Sequence, residues 1–125
     1  MDTIERDSFL TRYMAMWHEP DAARRRALVQ GLWAEGAENL TRNFTAHGME
    51  AIVARVAKAH EEWVARQGFI FRPAGPTDGH NHLIRFTWEM VPRAGGPAQA
   101  RGLDVFVLDG DGRIRSLYQF AEPLA

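Results

Sequence analysis

Residues 83–91 read LIRFTWEMV, and apolar side chains occupy every second position from residue 84 to residue 90. In an extended chain these positions share one face, because successive side chains point to opposite sides of a strand. The apolar face carries Ile84, Phe86, Trp88 and Met90. The opposite face carries Arg85, Thr87 and Glu89. The run therefore predicts a β-strand with one apolar face.

The same two-residue period predicts further strands on both sides of this run. Strands are expected at residues 69–72, 101–108 and 113–120, with a weaker signal at 38–44. Residues 73–79 are expected to form a turn or loop, because their prolines cannot donate to a strand ladder. Glycine-rich residues 92–97 and the turn at 109–112 favour hairpin connections. These patterns predict a meandering antiparallel sheet.

Helical spacing of apolar residues precedes the strands. A first helix is expected to begin after Asp7 and Ser8 and to stop before Pro20. A second is expected from near Asp21 to Gly36, forming a hairpin with the first, and a third from residue 49 to about residue 66. The order α-α-β-α-β-β-β-β predicts a single α+β domain over residues 1–125, with helices against one side of a curved sheet.

Composition narrows the class of partner. The chain has 125 residues, of which 46% are hydrophobic and 25% charged, as in ordinary globular domains. Fifteen basic residues nearly balance sixteen acidic ones, so neither nucleic acid nor an anionic membrane is an expected partner. The first residues lack a basic segment followed by an apolar run, which predicts a cytoplasmic location.

The sequence predicts no cofactor and no metal ion. Cysteine is absent, which excludes thiolate nucleophiles and sulfur-ligated zinc. Neither a phosphate-binding glycine loop nor a dinucleotide fingerprint occurs. The run at 109–112 resembles the start of a calcium loop, yet Phe120 occupies the position of its bidentate carboxylate. His80 and His82 are two residues apart, which can place two imidazoles on one face of a strand as the first two ligands of a metal site. No third ligand is visible in the sequence, however, and a solvated turn is the preferred interpretation.

Several segments together resemble a known family. They are Arg12-Tyr13, residues 32–37 (LWAEGA), the turn from Gly48 to Ile52, and residues 103–106 (LDVF) followed by 111–114 (DGRI). In this order and spacing the chain resembles a SnoaL-like domain of the nuclear transport factor 2-like superfamily. The resemblance implies a cone-shaped sheet wrapped around the N-terminal helices and a homodimer formed through the sheet. The superfamily includes ketosteroid isomerase, polyketide cyclases and non-catalytic binding proteins, so fold alone does not select a function.

The comparison with ketosteroid isomerase implies roles for particular residues. Tyr13 falls where that family has a helix-one tyrosine, and Asp104 where it has a protonated aspartic acid that stabilises an enolate oxygen. Thr41 occupies the position of the general base, and its hydroxyl has no useful basicity near neutral pH. His47 is the nearest substitute, although a role in capping the third helix or a position in solvent is the preferred interpretation. Tyr13 and Asp104 could instead form a buried structural hydrogen bond.

The resemblance also predicts a pocket for a small apolar molecule. Its expected ligand-binding residues are Trp17, Trp33, Thr41, Phe86, Trp88 and Phe106, although the aromatic side chains could equally fill the interior. One hypothesis is an isomerase or cyclase that acts on a polyketide-, steroid- or terpenoid-like carbonyl compound through Tyr13 and Asp104. The alternative is a non-catalytic ligand-binding or accessory domain. The sequence leaves open whether Tyr118 or Gln119 faces the pocket.

Overall fold

The computed structural model describes residues 1–124, in which three helices pack against one curved, open sheet of seven strands. The elements in chain order are α1 (Thr3–His18), α2 (Ala22–Leu32), β1 (Trp33–Leu40), β2 (Thr45–His47), α3 (Met49–Ala59), a π-helical segment (His60–Arg66), β3 (Phe69–Pro73), β4 (Asp78–His80), β5 (Leu83–Pro92), β6 (Ala100–Leu108) and β7 (Ile114–Ala121). The predicted α+β class, with a curved sheet around N-terminal helices, is confirmed.

The sheet is mixed rather than wholly antiparallel. Its strand order is β2-β1-β7-β6-β5-β3, with β4 paired to β5. The predicted meander from β5 to β7 is confirmed, and each of its pairs is antiparallel. However, β1 runs parallel to β7. This pairing is possible because a long excursion through α3 and the other strands separates the two, as parallel neighbours require.

The first helix begins earlier than predicted. Asp2, rather than Asp7 or Ser8, caps α1: its carboxylate accepts from the Glu5 amide at 2.8 Å, and the Glu5 carboxylate accepts from the Asp2 amide at 3.4 Å. This reciprocal capping box satisfies two backbone donors that the helix itself leaves free. The predicted cap of the second helix is confirmed, since Asp21 accepts from the Arg24 amide at 2.9 Å.

The prediction that the second helix extends to Gly36 is wrong. The chain leaves α2 after Leu32, and Trp33 already pairs with Ile114 of β7. Strand pairing therefore overrides the helical spacing of the apolar residues. Gly36 does adopt a positive φ of 72°, but it lies in an irregularity of β1 between Trp33 and Glu38 rather than at a helix end.

The other helix and strand boundaries differ less from the predicted ones. The third helix ends at residue 66 as predicted, with its last seven residues in π-helical form. The predicted loop at 73–79 is wrong at both ends, because Pro73 is the last residue of β3 and residues 78–80 form β4 against β5. The weak strand predicted at 38–44 begins five residues earlier and ends at residue 40.

Two histidines fix the C-terminal end of α1. Nδ1 of His60, in the π-helical segment, donates to the Trp17 carbonyl at 2.8 Å. Nε2 of His18 accepts from the Phe71 amide of β3 at 2.9 Å, and burial lowers the pKa of His18, which favours the neutral ring. These bonds hold Trp17 at a defined place beside the sheet.

Among residues 1–124, no helix is long and apolar enough to cross a bilayer. Exposed apolar side chains on the sheet strands include Leu83, Tyr118 and Phe120. Pairing of two copies through the sheet stays a prediction.

Candidate active site

A cavity of about 240 Å³ lies between the helices and the sheet. Its walls are mostly apolar and aromatic, with a few polar groups. The lining residues are Tyr13, Met14, Trp17, Arg55, Ala59, Trp63, Phe71, Trp88, Met90, Ala100, Asp104 and Gln119. A shallower outer depression adjoins this inner cavity, and the two share four lining residues, Arg55, Trp88, Ala100 and Gln119.

The carboxyl group of Asp104 is the most buried acidic group at the cavity wall. Only 1% of the residue is exposed. Its Oδ2 accepts from the Tyr13 hydroxyl at 2.8 Å, and its Oδ1 accepts from Trp88 Nε1 at 2.9 Å and from Gln119 Nε2 at 3.2 Å. Because the indole and the amide nitrogen can only donate, Oδ1 must serve as an acceptor, whereas the Tyr13 hydroxyl at Oδ2 is a group that can either donate or accept.

Strand alternation and one glycine place these groups. Residues 102, 104 and 106 of β6 point to the interior, and Gly102 lies directly opposite Trp88 on β5. A Cβ atom built on Gly102 would lie 2.3 Å from the Trp88 ring. The absent side chain therefore makes the space in which the indole lies, and this position lets its Nε1 reach Asp104.

Replacement of Gly102 with alanine is expected to destabilise the protein by about 1–3 kcal/mol, because the indole must move and its bond to Asp104 must lengthen or break. Chemical denaturation measures this loss. Gly31→Ala is the matched control, since a Cβ atom on this α2 glycine meets nothing within 4 Å. The control should be neutral or more stable by about 0.5–1 kcal/mol. Equal stabilities of the Gly102→Ala variant and the parent would contradict the packing described for Trp88.

Tyr13 is a neutral hydrogen-bond donor within an aromatic cluster. Its ring meets Phe106 edge-on at 4.7 Å and Phe86 edge-on at 5.9 Å between centroids. Burial, followed by the negative charge of Asp104, raises the pKa of Tyr13 well above its ordinary value. The hydroxyl group therefore keeps its proton at any physiological pH.

Burial raises the pKa of the Asp104 carboxyl to about 6, although the hydrogen bonds from Tyr13, Trp88 and Gln119 and the charge of Arg55 oppose the shift. Both protonation states are therefore accessible near neutral pH. Oδ1 already accepts two hydrogen bonds and Oδ2 only one, so Oδ2 is the atom with room to take up a proton. When it does so, the bond to Tyr13 can reverse and free the tyrosine O–H for another acceptor.

Gln119 connects Asp104 to two further polar residues. Its Oε1 accepts from Asn39 Nδ2 at 3.0 Å and from Arg55 Nη2 at 3.2 Å. These two donors fix the orientation of the amide and direct its Nε2 towards Asp104. Gln119 thus faces the inner cavity, whereas Tyr118 is 42% exposed, which answers the question that the sequence left open.

The predicted site residues divide into four groups. Tyr13, Asp104, Trp17 and Trp88 line the inner cavity. Trp33, Phe86 and Phe106 are fully buried in the core and do not line it. Thr41 lines the outer depression, where its hydroxyl accepts from the amides of Asn43 and Phe44 and holds a turn. His47 is exposed on β2 and lines neither space.

Of the other polar residues of the cavity, Arg55 was not singled out from the sequence, and Gln119 was named only as an alternative to Tyr118. A signal for Arg55 exists, because it lies three residues after Ile52 and four before Ala59, both buried on α3. A cation thus interrupts the apolar face of an amphipathic helix. Gln119 has no such local signal, since its position depends on the pairing of β7 with β6 opposite Asp104.

The histidines considered as metal ligands do not form a site. His80 and His82 are exposed, and the ring of His80 contacts only the neighbouring Asn81 amide. Across residues 1–124, no three histidine or acidic side chains lie close enough together to hold a metal ion.

Comparisons with known proteins place the chain in a family. Neither a family sequence model nor a curated protein matches it. A structure from Agrobacterium tumefaciens, described as a candidate isomerase of the SnoaL-like family, shares 32% identity over 93% of this chain and 96% of its own, with a TM-score of 0.83. A candidate polyketide cyclase from Sinorhizobium meliloti has a TM-score of 0.70 at 14% identity, covering 96% of this chain and 100% of its own. A SnoaL-like protein from Burkholderia thailandensis has a TM-score of 0.72 at 14% identity, covering 98% of this chain and 99% of its own.

The structures from Sinorhizobium meliloti and Burkholderia thailandensis share the fold of this chain, and the structure from Agrobacterium tumefaciens is also similar in sequence over nearly the whole length. The chain therefore belongs to the SnoaL-like family of the nuclear transport factor 2-like superfamily.

Proposed function

We propose that this protein is a cofactor-independent isomerase or cyclase that moves a proton on a small, flat carbonyl compound. The observation that carries the proposal is the Asp104 carboxyl group, which is buried at the wall of an aromatic cavity, held by three donors and has its pKa raised to about 6. A buried carboxyl group with a pKa near the working pH is suited to take up and return a proton. The similar protein described as a candidate isomerase supports the same class.

In the first step, ionised Asp104 removes a proton from the carbon next to the substrate carbonyl. The C–H bond breaks, its electron pair forms a carbon–carbon double bond, and the carbonyl oxygen becomes an enolate oxygen. The proton goes to Oδ2 of Asp104, which is the oxygen with the free lone pair. Asp104 thereby supplies the base that is missing at Thr41 and that His47 is too far from the cavity to provide.

The second step uses Tyr13. Once protonated, Asp104 donates its new O–H to the Tyr13 oxygen, and the tyrosine O–H turns to the enolate oxygen. A neutral donor placed in an apolar site stabilises such a developing charge strongly. Return of the proton to a different carbon completes an isomerisation. Alternatively, the enolate carbon attacks a second carbonyl of the same molecule, a carbon–carbon bond forms, and the resulting alkoxide takes the proton from Asp104, which completes a cyclisation.

The size of the cavity limits the substrate. At about 240 Å³, the inner cavity is smaller than the roughly 300–1,000 Å³ of common ligand pockets. It therefore fits one or two fused rings rather than a four-ring steroid. Any further part of a larger polyketide- or terpenoid-like ligand would extend into the outer depression, past Trp88 and Gln119.

Deuterium exchange into 2-tetralone tests the proton-transfer step without knowledge of the natural substrate. This two-ring ketone has acidic C–H bonds next to its carbonyl, and proton NMR in D₂O follows their loss. The protein is expected to accelerate exchange above the buffer rate, with saturation in ketone. The rate should rise as Asp104 ionises and level off above its pKa of about 6.

A non-catalytic binding domain is the second candidate, favoured by Thr41 at the position where related isomerases have a base. The Thr41 hydroxyl is engaged in a turn and does not approach the carboxyl group of Asp104. In that case 2-tetralone would bind and raise the melting temperature, while exchange proceeded at the buffer rate. This result would reject the proposed enzyme activity and support a ligand-binding pocket.

A further inference from the structure

The guanidinium group of Arg55 lies at the junction of the inner cavity and the outer depression, since it lines both. It is held between two aromatic rings, with its central carbon 5.5 Å from the Trp17 centroid and 4.9 Å from the Phe44 centroid. Such contacts favour a cation and define where its charge lies.

Within residues 1–124, Arg55 forms no ion pair in direct contact, and the charge of Asp104 acts on it only from the far side of Gln119. Its one hydrogen bond goes to the neutral Gln119 amide, and its Nε is buried without a partner. By contrast, Arg26, Arg66 and Arg72 each form an ion pair at the surface, while the buried Arg25 donates to the Glu19 carbonyl. Burial of a charge without a counter-ion in contact is costly, and accordingly burial lowers the pKa of Arg55, although the charge of Asp104 opposes the shift.

The outer depression adds more positive charge. Arg42 and Arg101 line it together with Arg55, and no aspartate or glutamate does. A concave surface of one sign attracts ligands of the opposite charge and raises their local concentration. The entrance to the cavity is therefore suited to an anionic compound.

We infer that the ligand carries a carboxylate, which Arg55 binds while the ring system fills the inner cavity beside Asp104. This inference rests on the proposed function of the same site and adds the chemical class of its substrate, a one- or two-ring carbonyl compound bearing a carboxylic acid. The planar guanidinium group matches a carboxylate through paired N–H donors, and its single charge balances a single negative charge. Because Arg55 and Asp104 share Gln119, one bound molecule can contact both groups.

Two ligands of the same shape test the inference, namely 2-naphthoate and its neutral counterpart 2-naphthamide. Their dissociation constants are measured by calorimetry with the wild-type protein at pH 7.5, at low and at high salt. We expect 2-naphthoate to bind roughly 10- to 100-fold more tightly, as for a hydrogen-bonded charge pair, and the difference to shrink as salt rises. Equal affinities, or no binding by either compound, would overturn the inference.

Variants show whether Arg55 causes the preference for 2-naphthoate. Arg55→Met reproduces the aliphatic stem of arginine but removes the guanidinium group, and it should abolish the preference for 2-naphthoate. Arg55→Lys, which keeps the charge but not the paired donors, should retain part of it. Arg24→Met is the matched control, because Arg24 is exposed on α2 and lines neither space, and it should retain the whole preference. A preference that survives Arg55→Met would overturn the inference.

Failure of this inference is distinguishable from failure of the proposed function. Exchange into 2-tetralone, which has no carboxylate, requires Asp104 and not Arg55. If the protein catalyses exchange but binds neither naphthyl ligand more tightly than the other, the proposed enzyme activity is retained and only the acidic substrate is rejected. A clear preference for 2-naphthoate in a protein without exchange activity would retain the anion site and reject the enzyme.

Discussion

Asp104→Asn is expected to lower enzyme-catalysed exchange into 2-tetralone by roughly 100-fold or more, the usual loss when a general acid or base is removed. The amide of asparagine cannot take up a proton at neutral pH, so the first step has no acceptor. The shape of the site should survive. The asparagine oxygen can accept from Trp88 and Gln119 in place of Oδ1, and its nitrogen can donate to the Tyr13 oxygen.

The control is Asp7→Asn, which makes the same chemical change on the exposed side of α1. Its exchange rate should equal that of the parent. The exchange rate of Tyr13→Phe should lie between those of Asp104→Asn and Asp7→Asn, because this variant keeps the base and loses only the donor to the enolate oxygen. Full activity in Asp104→Asn would remove Asp104 from the mechanism and leave a structural role for its bond with Tyr13.

The stability of the protein is expected to fall by about 2–3 kcal/mol relative to that of Asp104→Asn as the pH rises from about 4 to about 7. Burial raises the pKa of Asp104 from 3.8 to about 6, so the folded state binds this proton more tightly than the unfolded state. The resulting stabilisation is present in full below the unfolded pKa. It is lost as the pH rises through the folded pKa, because ionisation then places a charge in the interior.

Urea denaturation of both proteins at several pH values measures this difference. Other titrating groups are common to the two chains and cancel in the comparison. The variant should therefore gain stability relative to the parent between pH 4 and 7, and the difference should become constant above that range. A difference that stays flat over the whole range would mean that Asp104 is not desolvated as the structure has it.

Local patterns in the sequence predicted most of the fold. The alternation of residues 83–91 and the turn at 109–112 identify β5 and the β6–β7 hairpin, because side chains of a half-buried strand must alternate. The end of α2 could not be predicted in this way. Trp33 continues the helical spacing, and only its pairing with Ile114, some eighty residues later, draws it into a strand. The parallel pairing of β1 with β7 has the same origin.

The candidate site was predicted unevenly for a similar reason. Tyr13 and Asp104 were found through family resemblance, and their 2.8 Å bond agrees with both a catalytic and a structural role. The aromatic residues could not be sorted by type, because Trp17 and Trp88 line the cavity while Trp33 is buried beneath it. Whether an aromatic side chain lines the cavity or is buried in the core depends on strand register and on how the helices lie against the sheet, and no local pattern encodes either.

The polar residues of the site depend still more on tertiary structure. Gln119 meets Asp104 only through the register of β6 with β7, and Trp88 reaches it only because Gly102 leaves space opposite. Gly102 in an otherwise regular strand was a visible signal of such a close approach. An arginine on the apolar face of α3 was another.

The most direct test is a ¹³C NMR titration of the Asp104 carboxyl group in protein labelled at aspartate, with Asp104→Asn to assign its signal. The carboxyl group should titrate with a pKa of about 6 in the free protein. Saturation with 2-naphthol, an analogue of the enol form of 2-tetralone, should shift that signal, because the ligand oxygen competes for the Tyr13 hydroxyl. A carboxyl group that titrates near 3.8 and does not respond to 2-naphthol would contradict the proposal that Asp104 and Tyr13 form an acid–base site.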